Sequence, residues 1–281
     1  MKIKYYGTGA GAGIPEIFCS CRVCSHAREN RGKNIRTRSQ AVIDGKLSID
    51  YPVDTFLHTV YGGLDMTKIN HILITHNHHD HFFTNDVISR YQGIKEPIYF
   101  YCSKESGAEL KKLAEAREEQ FHTGKIERTD DCRVVVIELN MFTPVKILDY
   151  TVTPLRARHA EHLNSMIYII RSENKNILWA HDTGKFPADT VEYLKNSGIV
   201  FDFISLDCTL KRNAQITGAH MDLDWCVEMT ELLRENGNVN DNTKVVLSHI
   251  GHLVERTHDE LQKEADDFNM TVAYDGMSVY V

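Results

Sequence analysis

The segment Thr75-His76-Asn77-His78-His79-Asp80-His81 directly follows the apolar run Ile72-Leu73-Ile74. This pattern predicts a strand that ends in a turn carrying three imidazoles and one carboxylate, at positions 76, 78, 80 and 81. Imidazole and carboxylate are the ligand types that suit zinc and similar divalent ions. Chance readily supplies one histidine pair but not this whole array, so the segment predicts a metal site at one rim of a β-sheet.

Polar segments also follow three later strand-like runs. They are Arg158-His159-Ala160 after residues 150–155, His181-Asp182-Thr183-Gly184 after residues 177–180, and Ser248-His249-Ile250-Gly251-His252 after residues 245–247. With the first segment, and in this order, they resemble the ligand motifs of the metallo-β-lactamase superfamily, most of whose members hydrolyse other esters. The resemblance covers most of the chain. It implies an α/β fold, the αββα sandwich of two mixed sheets flanked by helices.

A set of metal ligands is also implied by this resemblance. One ion would be held by His76, His78 and His159, and a second by Asp80, His81 and His249. Asp182 would bridge the two ions, because a carboxylate has two oxygens with which to span them. His79 occupies the variable place of the motif and is not expected to be a ligand.

The run Cys19-Ser20-Cys21-Arg22-Val23-Cys24 reads C-x-C-x2-C. Three thiolates this close can face one tetrahedral ion, and a fourth ligand would complete the site. Spacing alone does not decide between His252 and His26 for that place. An early C-x-C-x2-C combined with a late H-x2-H resembles the PhnP-type cyclic-phosphate phosphodiesterases. This closer resemblance implies a structural zinc held by Cys19, Cys21, Cys24 and His252.

His220 lies just before a helix predicted over residues 222–236. A helix start presents free N–H groups and a positive dipole end, which favour phosphate. An imidazole there could protonate a leaving oxygen, and the PhnP resemblance implies a catalytic histidine at this place. The alternative is an ordinary polar residue at a helix start. Asp80 and Asp182 are the other catalytic candidates.

Two features near the amino-terminal end have competing interpretations. Residues 7–13, Gly-Thr-Gly-Ala-Gly-Ala-Gly, partly mimic a dinucleotide-binding loop, but that fingerprint needs a helix next. Since Ile14-Pro15 and the cysteines follow instead, we expect a loop whose glycines let the backbone pass close to the metals. Asp50, with Asp54 as its competitor, is a candidate for orienting a metal-bound histidine.

Periodicity predicts strands throughout the chain, among them one strand over residues 40–49 and a hairpin over residues 270–281 around Asp275-Gly276. Helices are predicted over residues 104–120, 188–197, 222–236 and 255–268. No linker divides these elements, so we expect residues 1–281 to form a single hydrolase domain.

Composition limits the class of function. The chain has 281 residues, 42% of them hydrophobic, and a formal net charge of −7, which offers no basic face for nucleic acid or an anionic membrane. There is no signal-peptide pattern and no apolar run of membrane-spanning length. Apart from the cluster of three, the seven cysteines are scattered in or beside apolar stretches, as buried free thiols would be. A cytoplasmic location is therefore expected.

These features predict a dinuclear metal-dependent phosphodiesterase. A metal-bridging hydroxide would attack a small or cyclic phosphodiester, and His220 would assist the leaving oxygen. The active-site ions would be zinc or manganese. The expected partner is the small-molecule substrate, and a homodimer is left open. Three alternatives remain: a ribonuclease Z-like RNA endonuclease, a lactone or thioester hydrolase, and a PqqB-like metal-binding protein of uncertain activity.

Overall fold

A computed structural model describes residues 1–88, 96–122, 134–214 and 218–281, without the side chains of residues 88, 114–122 and 161. The strands are β1 (Lys2–Gly7), β2 (Gln40–Ile43), β3 (Leu47–Ile49), β4 (His71–Leu73), β5 (Ile98–Cys102), β6 (Val134–Glu138), β7 (Val145–Ile147), β8 (Tyr150–Arg156), β9 (Met166–Arg171), β10 (Asn176–Ala180), β11 (Phe203–Asp207), β12 (Lys244–Ser248), β13 (Met270–Val272) and β14 (Ser278–Tyr280). The helices are α1 (Arg22–Asn30), α2 (Thr55–Val60), α3 (Thr84–Ile88), α4 (Lys104–His122), α5 (Ala188–Ser197), α6 (Leu223–Glu235) and α7 (His258–Asp266).

The strands form two sheets of seven. The first has the order β14-β1-β2-β3-β4-β5-β6, and the second has the order β13-β12-β11-β10-β9-β8-β7. Each sheet is mixed: its antiparallel part gives way to parallel strands from β3 to β6 in the first sheet and from β10 to β13 in the second. The expected αββα sandwich is confirmed. Its parallel strands end at one edge, where ligand sites of α/β sheets usually lie.

The two-residue period of the strands separates the interior layers. In β10, Ile177 and Trp179 face the first sheet, whereas Leu178 and Ala180 face the helices. Helices α1, α5, α6 and α7 contribute buried residues to the layer outside the second sheet. Helices α3 and α4 contribute to the layer outside the first sheet. Both faces of each sheet are therefore covered, as the near-continuous apolar runs of the parallel strands require.

Local signals set the helix ends. Helix α5 has the predicted bounds and ends at Gly198, which adopts a left-handed conformation with φ 62°. Helix α6 begins after Asp222, whose side chain accepts a hydrogen bond from the backbone of Trp225. Helix α7 begins later than predicted, because Thr257 and Glu260 form a reciprocal capping box there. None of the helices in the described ranges has the length and apolar character needed to cross a membrane.

Two strand predictions are wrong. Residues 40–49 form two antiparallel strands, because Asp44 and Gly45 take φ values of 50° and 68° in a tight turn. Residues 270–281 do not form a hairpin: β13 pairs with β12 in the second sheet, while β14 pairs with β1 in the first. The carboxylate of Asp275 accepts hydrogen bonds from the backbone and hydroxyl groups of Thr8 and Thr37, so it fixes this crossing between the sheets.

Candidate active site

The predicted ligands meet at the edge where the parallel strands end. The histidine-rich segment follows β4, His159 follows β8, Asp182 follows β10 and His249 follows β12. Because these strands belong to both sheets, the site lies where the two sheets come together. Every residue predicted for the active site is within the described part of the chain.

Asp182 lies at the centre of this arrangement and is only 3% exposed. Its Oδ2 atom is 3.1 Å from His76 Nε2 and 3.1 Å from His81 Nε2. Its Oδ1 atom is 3.2 Å from His159 Nδ1 and 3.1 Å from His220 Nδ1. The carboxylate therefore lies between histidines from both predicted ligand sets.

Three groups with metal-binding geometry share Asp182: two match the predicted ligand sets, and the third comprises Asp182, Asp207, His220 and His249. The first comprises His76, His78, His159 and Asp182, and the second comprises Asp80, His81, Asp182 and His249, with the ligand atoms of each group within 4.8 Å of one another. All members of the second group are buried, whereas His78 and His159 of the first are only partly buried. The site is therefore accessible from the side of His78 and His159.

The backbone is left-handed at three site residues that are not glycine. Asp50, Asp182 and His249 have φ values of 64°, 53° and 55°. Such a conformation is uncommon for residues with a Cβ and persists only where the surrounding structure holds it. Here hydrogen bonds from the backbone of Asp50 to Leu73 and from that of Ile250 to Thr8 tie the turns to neighbouring strands.

Asp50, rather than Asp54, is the carboxylate that orients the histidine-rich turn. It is 1% exposed, and it accepts hydrogen bonds from the Thr75 backbone at 2.8 Å and from His81 Nδ1 at 2.7 Å. The Thr75 hydroxyl also donates to Asp50 and accepts from His76 Nδ1 at 3.1 Å. Asp50 thus directs the Nε2 atoms of two histidines toward Asp182. Asp54 pairs with Arg38 instead.

Asp207, at the end of β11, is a site residue that the sequence analysis missed. It is fully buried, and its Oδ2 atom lies 3.1 Å from His220 Nδ1 and 3.1 Å from His249 Nδ1. Its Oδ1 atom accepts from the backbone of Thr209 and Met221. The available signal was its position: residues 201–207 have a strand-like pattern that ends at Asp207, and the other site residues also lie just after strands.

The ligand atoms of the site, which are nitrogen and oxygen lone pairs, fit divalent cations. When His81 is neutral with Nδ1 donating to Asp50, and Nδ1 of His249 donates to Thr209 Oγ1 at 2.9 Å, the Nε2 atoms of the two rings face each other as lone pairs 3.3 Å apart. Nδ1 of His78 similarly lies 2.9 Å from His76 Nε2 and 3.2 Å from His159 Nε2. Asp182 Oδ1 is buried and accepts no well-aligned hydrogen bond. Several acceptors thus converge, and cations satisfy such sets directly.

Electrostatics favours anionic carboxylates at this edge. Burial works against charge on Asp182, but the neighbouring histidines, His249 foremost, outweigh it and hold the pKa of the carboxyl well below its ordinary value. Burial likewise opposes charge on His81, but Asp80 and Asp50 raise the pKa of its imidazole well above the usual range. Burial and the charge of His81 lower the pKa of His76 to about 3. The carboxylates therefore require cationic charge beside them, from protons or from metal ions.

His220 lies beside the ligand groups on their accessible side. Its ring centroid is 5.1 Å from that of His159 and 5.6 Å from that of His249. Burial disfavours its charged form, but the carboxylates of Asp207 and Asp182 outweigh burial and raise the pKa of the imidazole to about 9. Because Nδ1 contacts both carboxylates, Nε2 is the nitrogen left for a substrate.

The predicted cysteine cluster also comes together. Cys19, Cys21, Cys24 and His252 offer ligand atoms within 4.8 Å of one another. His252 Nδ1 lies 3.4 Å from Cys19 Sγ and 3.6 Å from Cys21 Sγ, while its Nε2 lies 3.3 Å from Glu16. A carboxylate that contacts the outer nitrogen of an imidazole in this way orients the ring for metal binding.

The thiols of the cluster differ in acidity. Burial opposes the thiolate of Cys21, but hydrogen bonds from the Cys24 backbone and from His252 outweigh it and lower the pKa to about 6. Burial raises the pKa of the Cys24 thiol to about 12. His26, the rival fourth ligand, lies on α1 with its Nδ1 atom 3.2 Å from Asn30 Nδ2, away from the cluster.

The glycine-rich loop passes directly over the metal-ligand candidates. A Cβ atom at Gly11 would lie 2.9 Å from Asp80 Oδ2, so the backbone approaches this carboxylate more closely than a side chain would permit. Residues 8–10 hydrogen-bond to Ile250, next to His249. No helix follows the loop directly, since α1 begins only at Arg22. The loop thus has the placement expected in the sequence analysis, without the helix of a dinucleotide-binding unit.

The family model of the "Beta-lactamase superfamily domain" matches residues 54–250, more than half of the 281 residues. The chain belongs to the beta-lactamase superfamily. Members of this superfamily are generally hydrolases, and the His/Asp groups are compatible with divalent metal binding.

Solved structures share the fold over the whole chain. A diphosphatase from the PhnP family has a TM-score of 0.74 at 22% identity and covers 100% of this chain and 97% of its own. Zn(2+)-bound PqqB from Methylobacterium extorquens has a TM-score of 0.72 at 15% identity, with complete coverage of both chains. Human tRNase Z, short form, has a TM-score of 0.63 at 18% identity, covering 100% and 99%. At these identities the likeness shows the fold alone.

One curated relative has a different kind of name. An octanoyltransferase from Porphyromonas gingivalis (strain ATCC BAA-308 / W83) is 24% identical over 203 residues, which make up 72% of this chain and 38% of the relative. The chain therefore spans well under half the length of that protein.

Proposed function

We propose that this protein is a dinuclear metal-dependent phosphodiesterase acting on small or cyclic phosphodiesters. The observation that carries the proposal is Asp182, whose two oxygens lie between two ligand groups and beside His220. A carboxylate shared in this way is the usual bridge between two ions that act on one phosphoryl group.

The proposed ligands follow the two groups. One ion would be held by His76, His78 and His159, the other by Asp80, His81 and His249, with Asp182 bridging both. Divalent ions in this position would supply Lewis acidity and a water made acidic near neutral pH. The histidine-rich set favours zinc, and manganese is the alternative because carboxylates contribute to it. Asp50 and Asp207 would hold the imidazoles in the tautomers that these ions require.

We propose that His220 protonates the leaving alkoxide. Its Nδ1 atom is occupied by Asp207 and Asp182, so Nε2 carries the proton toward the accessible side of the site. Asp207 acts as a positioning residue, because it fixes the ring orientation of His220 through Oδ2 and is itself held by two backbone N–H groups.

The cysteine cluster is proposed to bind a structural zinc. Three sulfurs and one imidazole make a complete tetrahedral set with no position left for a substrate. His252 is preferred to His26 because its ring nitrogen faces two of the sulfurs.

We further propose a single domain that works in the cytoplasm on a small molecule. The cysteines in the described part of the chain are free thiols, which suits a reducing compartment. The net charge of −7 disfavours RNA as the substrate.

A second candidate function is hydrolysis of an acyl thioester or a lactone. It is favoured by the relative named octanoyltransferase, since an octanoyl group is transferred as a carboxylic acid derivative. The same metals would act on a carbonyl carbon, but an alkoxide-directed acid such as His220 is needed less for a thiolate, which leaves without a proton at neutral pH.

The test is a leaving-group comparison with metal-replete protein. Wild type and His220→Ala are assayed on bis-p-nitrophenyl phosphate, on a cyclic nucleotide and on an octanoyl thioester. We expect turnover of the phosphodiesters, with a loss of roughly 10²–10⁴-fold in kcat for His220→Ala on the cyclic nucleotide and a smaller loss on the p-nitrophenyl ester. Fast thioester turnover with no diester hydrolysis would overturn the proposal in favour of the second candidate.

A further inference from the structure

Arg158 is an exposed cation at the accessible side of the site, directly before His159. Among the residues that the structure describes, none forms an ion pair or hydrogen bond with its guanidinium group. Four cations nearby in the chain or on adjoining loops are paired: Arg156, at the end of β8, with Asp189, Lys185 with Glu228, Lys211 with Glu255 and Arg212 with Asp224. Within the described side chains, the charge of Arg158 is thus not offset by a paired carboxylate, unlike the charges of these four cations.

The position of Arg158 is fixed by backbone contacts. Its N–H donates to Thr183 Oγ1 at 2.9 Å, and its carbonyl accepts from the Gly184 N–H at 3.0 Å. Its side chain lies over two glycines: a Cβ atom at Gly184 would be 3.4 Å from Arg158 Cδ, and one at Gly218 would be 3.8 Å from Nη1. We call this pair, Gly184 and Gly218, the glycine shelf.

The glycine shelf adjoins the reacting groups. Gly184 is two residues from Asp182, and Gly218 is two residues from His220. The shelf contact is close, since a Cβ at Gly184 would lie 1.7 Å from the carbonyl oxygen of Gly218. The guanidinium over the glycine shelf therefore lies at the accessible face of the site, next to His159 and His220.

We infer that Arg158 is a specificity-determining residue whose guanidinium binds an anionic oxygen of the substrate at the mouth of the site. This inference rests on the proposed phosphodiesterase function. A planar guanidinium matches phosphate geometry and binds it with charge-assisted hydrogen bonds. Since the protein as a whole carries a charge of −7, a local cation at the mouth offsets repulsion of an anionic substrate.

Two sources of that oxygen share the same chemistry. One is the non-bridging oxygen of the scissile phosphodiester, and the other is a second anionic group elsewhere on the ester. Adenosine 2′,3′-cyclic phosphate with and without a 5′-phosphate separates them, because the two compounds differ only in the second group.

The experiment compares Arg158→Gln and Arg158→Lys with wild type, all metal-replete. The matched control is Arg156→Gln, which removes an exposed guanidinium already paired with Asp189. We expect Arg158→Gln to raise KM roughly 10- to 100-fold, the size of a lost charged hydrogen bond, and to change kcat little. Arg158→Lys should recover part of the loss. An equal rise on both nucleotides identifies the scissile oxygen, and a rise only with the 5′-phosphate identifies the second group.

Inorganic phosphate provides a readout that needs no turnover. Calorimetry of the metal-loaded proteins should show roughly tenfold or more weaker phosphate binding by Arg158→Gln and unchanged binding by Arg156→Gln. Unchanged KM and phosphate affinity in Arg158→Gln would overturn the inference, as would an equal loss in the control. If wild type hydrolyses no diester while its phosphate affinity depends on Arg158, the proposed function fails and the anion-binding role stands.

Discussion

The cysteine cluster and the two His/Asp groups, which are the predicted ligand groups that share Asp182, lie close together in the chain. They differ in burial, in the type of ligand atom and in the room left for a substrate. His252 of the cysteine cluster comes three residues after His249 of the second His/Asp group. His252 is partly exposed and its Nδ1 faces the sulfurs of Cys19 and Cys21, whereas His249 is 1% exposed and lies beside oxygen and nitrogen donors. A four-membered sulfur-rich set has no position for substrate, while two groups that share one carboxylate leave an accessible side.

The short connection between the two regions indicates that the cysteine cluster has a structural role and the His/Asp groups a catalytic one. Ile250, between the two histidines, hydrogen-bonds to Thr8 and Ala10 of the glycine-rich loop. Gly251 packs against Thr209, since a Cβ there would lie 3.0 Å from its side chain. An ion in the cysteine cluster would anchor this segment from one end and leave the His/Asp groups to perform the reaction.

The largest expected effect comes from replacing Asp182, the carboxylate that both His/Asp groups share. Asp182→Ala and Asp182→Asn should each lose about 10³-fold or more in kcat/KM, because the bridge contributes several kcal/mol of positioning and charge stabilisation. Asparagine tolerates the left-handed backbone at this position, so Asp182→Asn separates loss of charge from loss of fold.

Elemental analysis of these variants should show at least one active-site ion missing. Asp189→Asn, which alters an exposed ion pair, serves as the control and should keep full activity. Retention of both ions and near-normal turnover by Asp182→Asn would contradict the bridging role.

A smaller effect is expected from Asp207, which touches both His220 and His249. Asp207→Asn should lower kcat roughly 10- to 100-fold, as the loss of a carboxylate that orients active-site imidazoles usually does. In a double-mutant cycle with His220→Ala, most of that loss should disappear, because the residue acts through a ring that is no longer present. Fully additive losses in kcat would show that Asp207 acts independently of His220.

Removing the cysteine cluster should affect stability more than catalysis. Cys21→Ser should lose one zinc per chain and lower Tm by several degrees, since each kcal/mol is worth about 2–4 °C in a protein of this size. Its metal-replete kcat should stay within about tenfold of wild type. His26→Gln is the matched variant and should keep the zinc. Metal loss in His26→Gln but not in a His252 variant would reverse the assignment of the fourth ligand.

The loss of stability in acid tests a residue outside the two compared regions, because His58 lies away from both the cysteine cluster and the His/Asp groups. Burial lowers the pKa of His58 to about 4, and its ring is held neutral between Gln40 and Thr37. A lowered pKa means that the fold favours the neutral ring, so its contribution is complete above about pH 6.5 and is lost as the pH falls toward 4.

Urea unfolding of metal-depleted protein measures this contribution. Between about pH 6.5 and pH 4, His58→Gln should lose less free energy of unfolding than wild type, by at most about 3 kcal/mol. If the free energy of unfolding falls equally with pH in the two proteins, the acid sensitivity arises from other groups.

Sequence was sufficient where residue spacing carries the information. The histidine-rich turn, the strand-end positions of His159, Asp182 and His249, and the cysteine triplet could all be located, because metal ligands must come in types and spacings that few other constraints produce. The sandwich followed from the alternation of strands with helices and from the family resemblance.

Other features depend on pairing between distant segments, which spacing does not reveal. Asp207 is one carboxylate at the end of an apolar strand, and only the fold brings α6 and β12 to it. Asp275-Gly276 has the composition of a hairpin turn, yet its flanking strands pair with β12 and β1 in different sheets. Asp44-Gly45 does form such a turn, so composition alone could not distinguish the two cases.

The glycine shelf has a consequence for how the protein tolerates mutation. In a selected library of single substitutions, Gly184 should be nearly as invariant as Asp182, although it offers no ligand atom and no side chain. Even a methyl group there would collide with the Gly218 carbonyl and push apart the segments that carry Asp182 and His220. Gly218 should accept alanine more readily, since a Cβ at that position meets only the flexible Arg158 side chain. The two glycines of one backbone contact should therefore differ in how many substitutions the library recovers, with fewer at Gly184 than at Gly218.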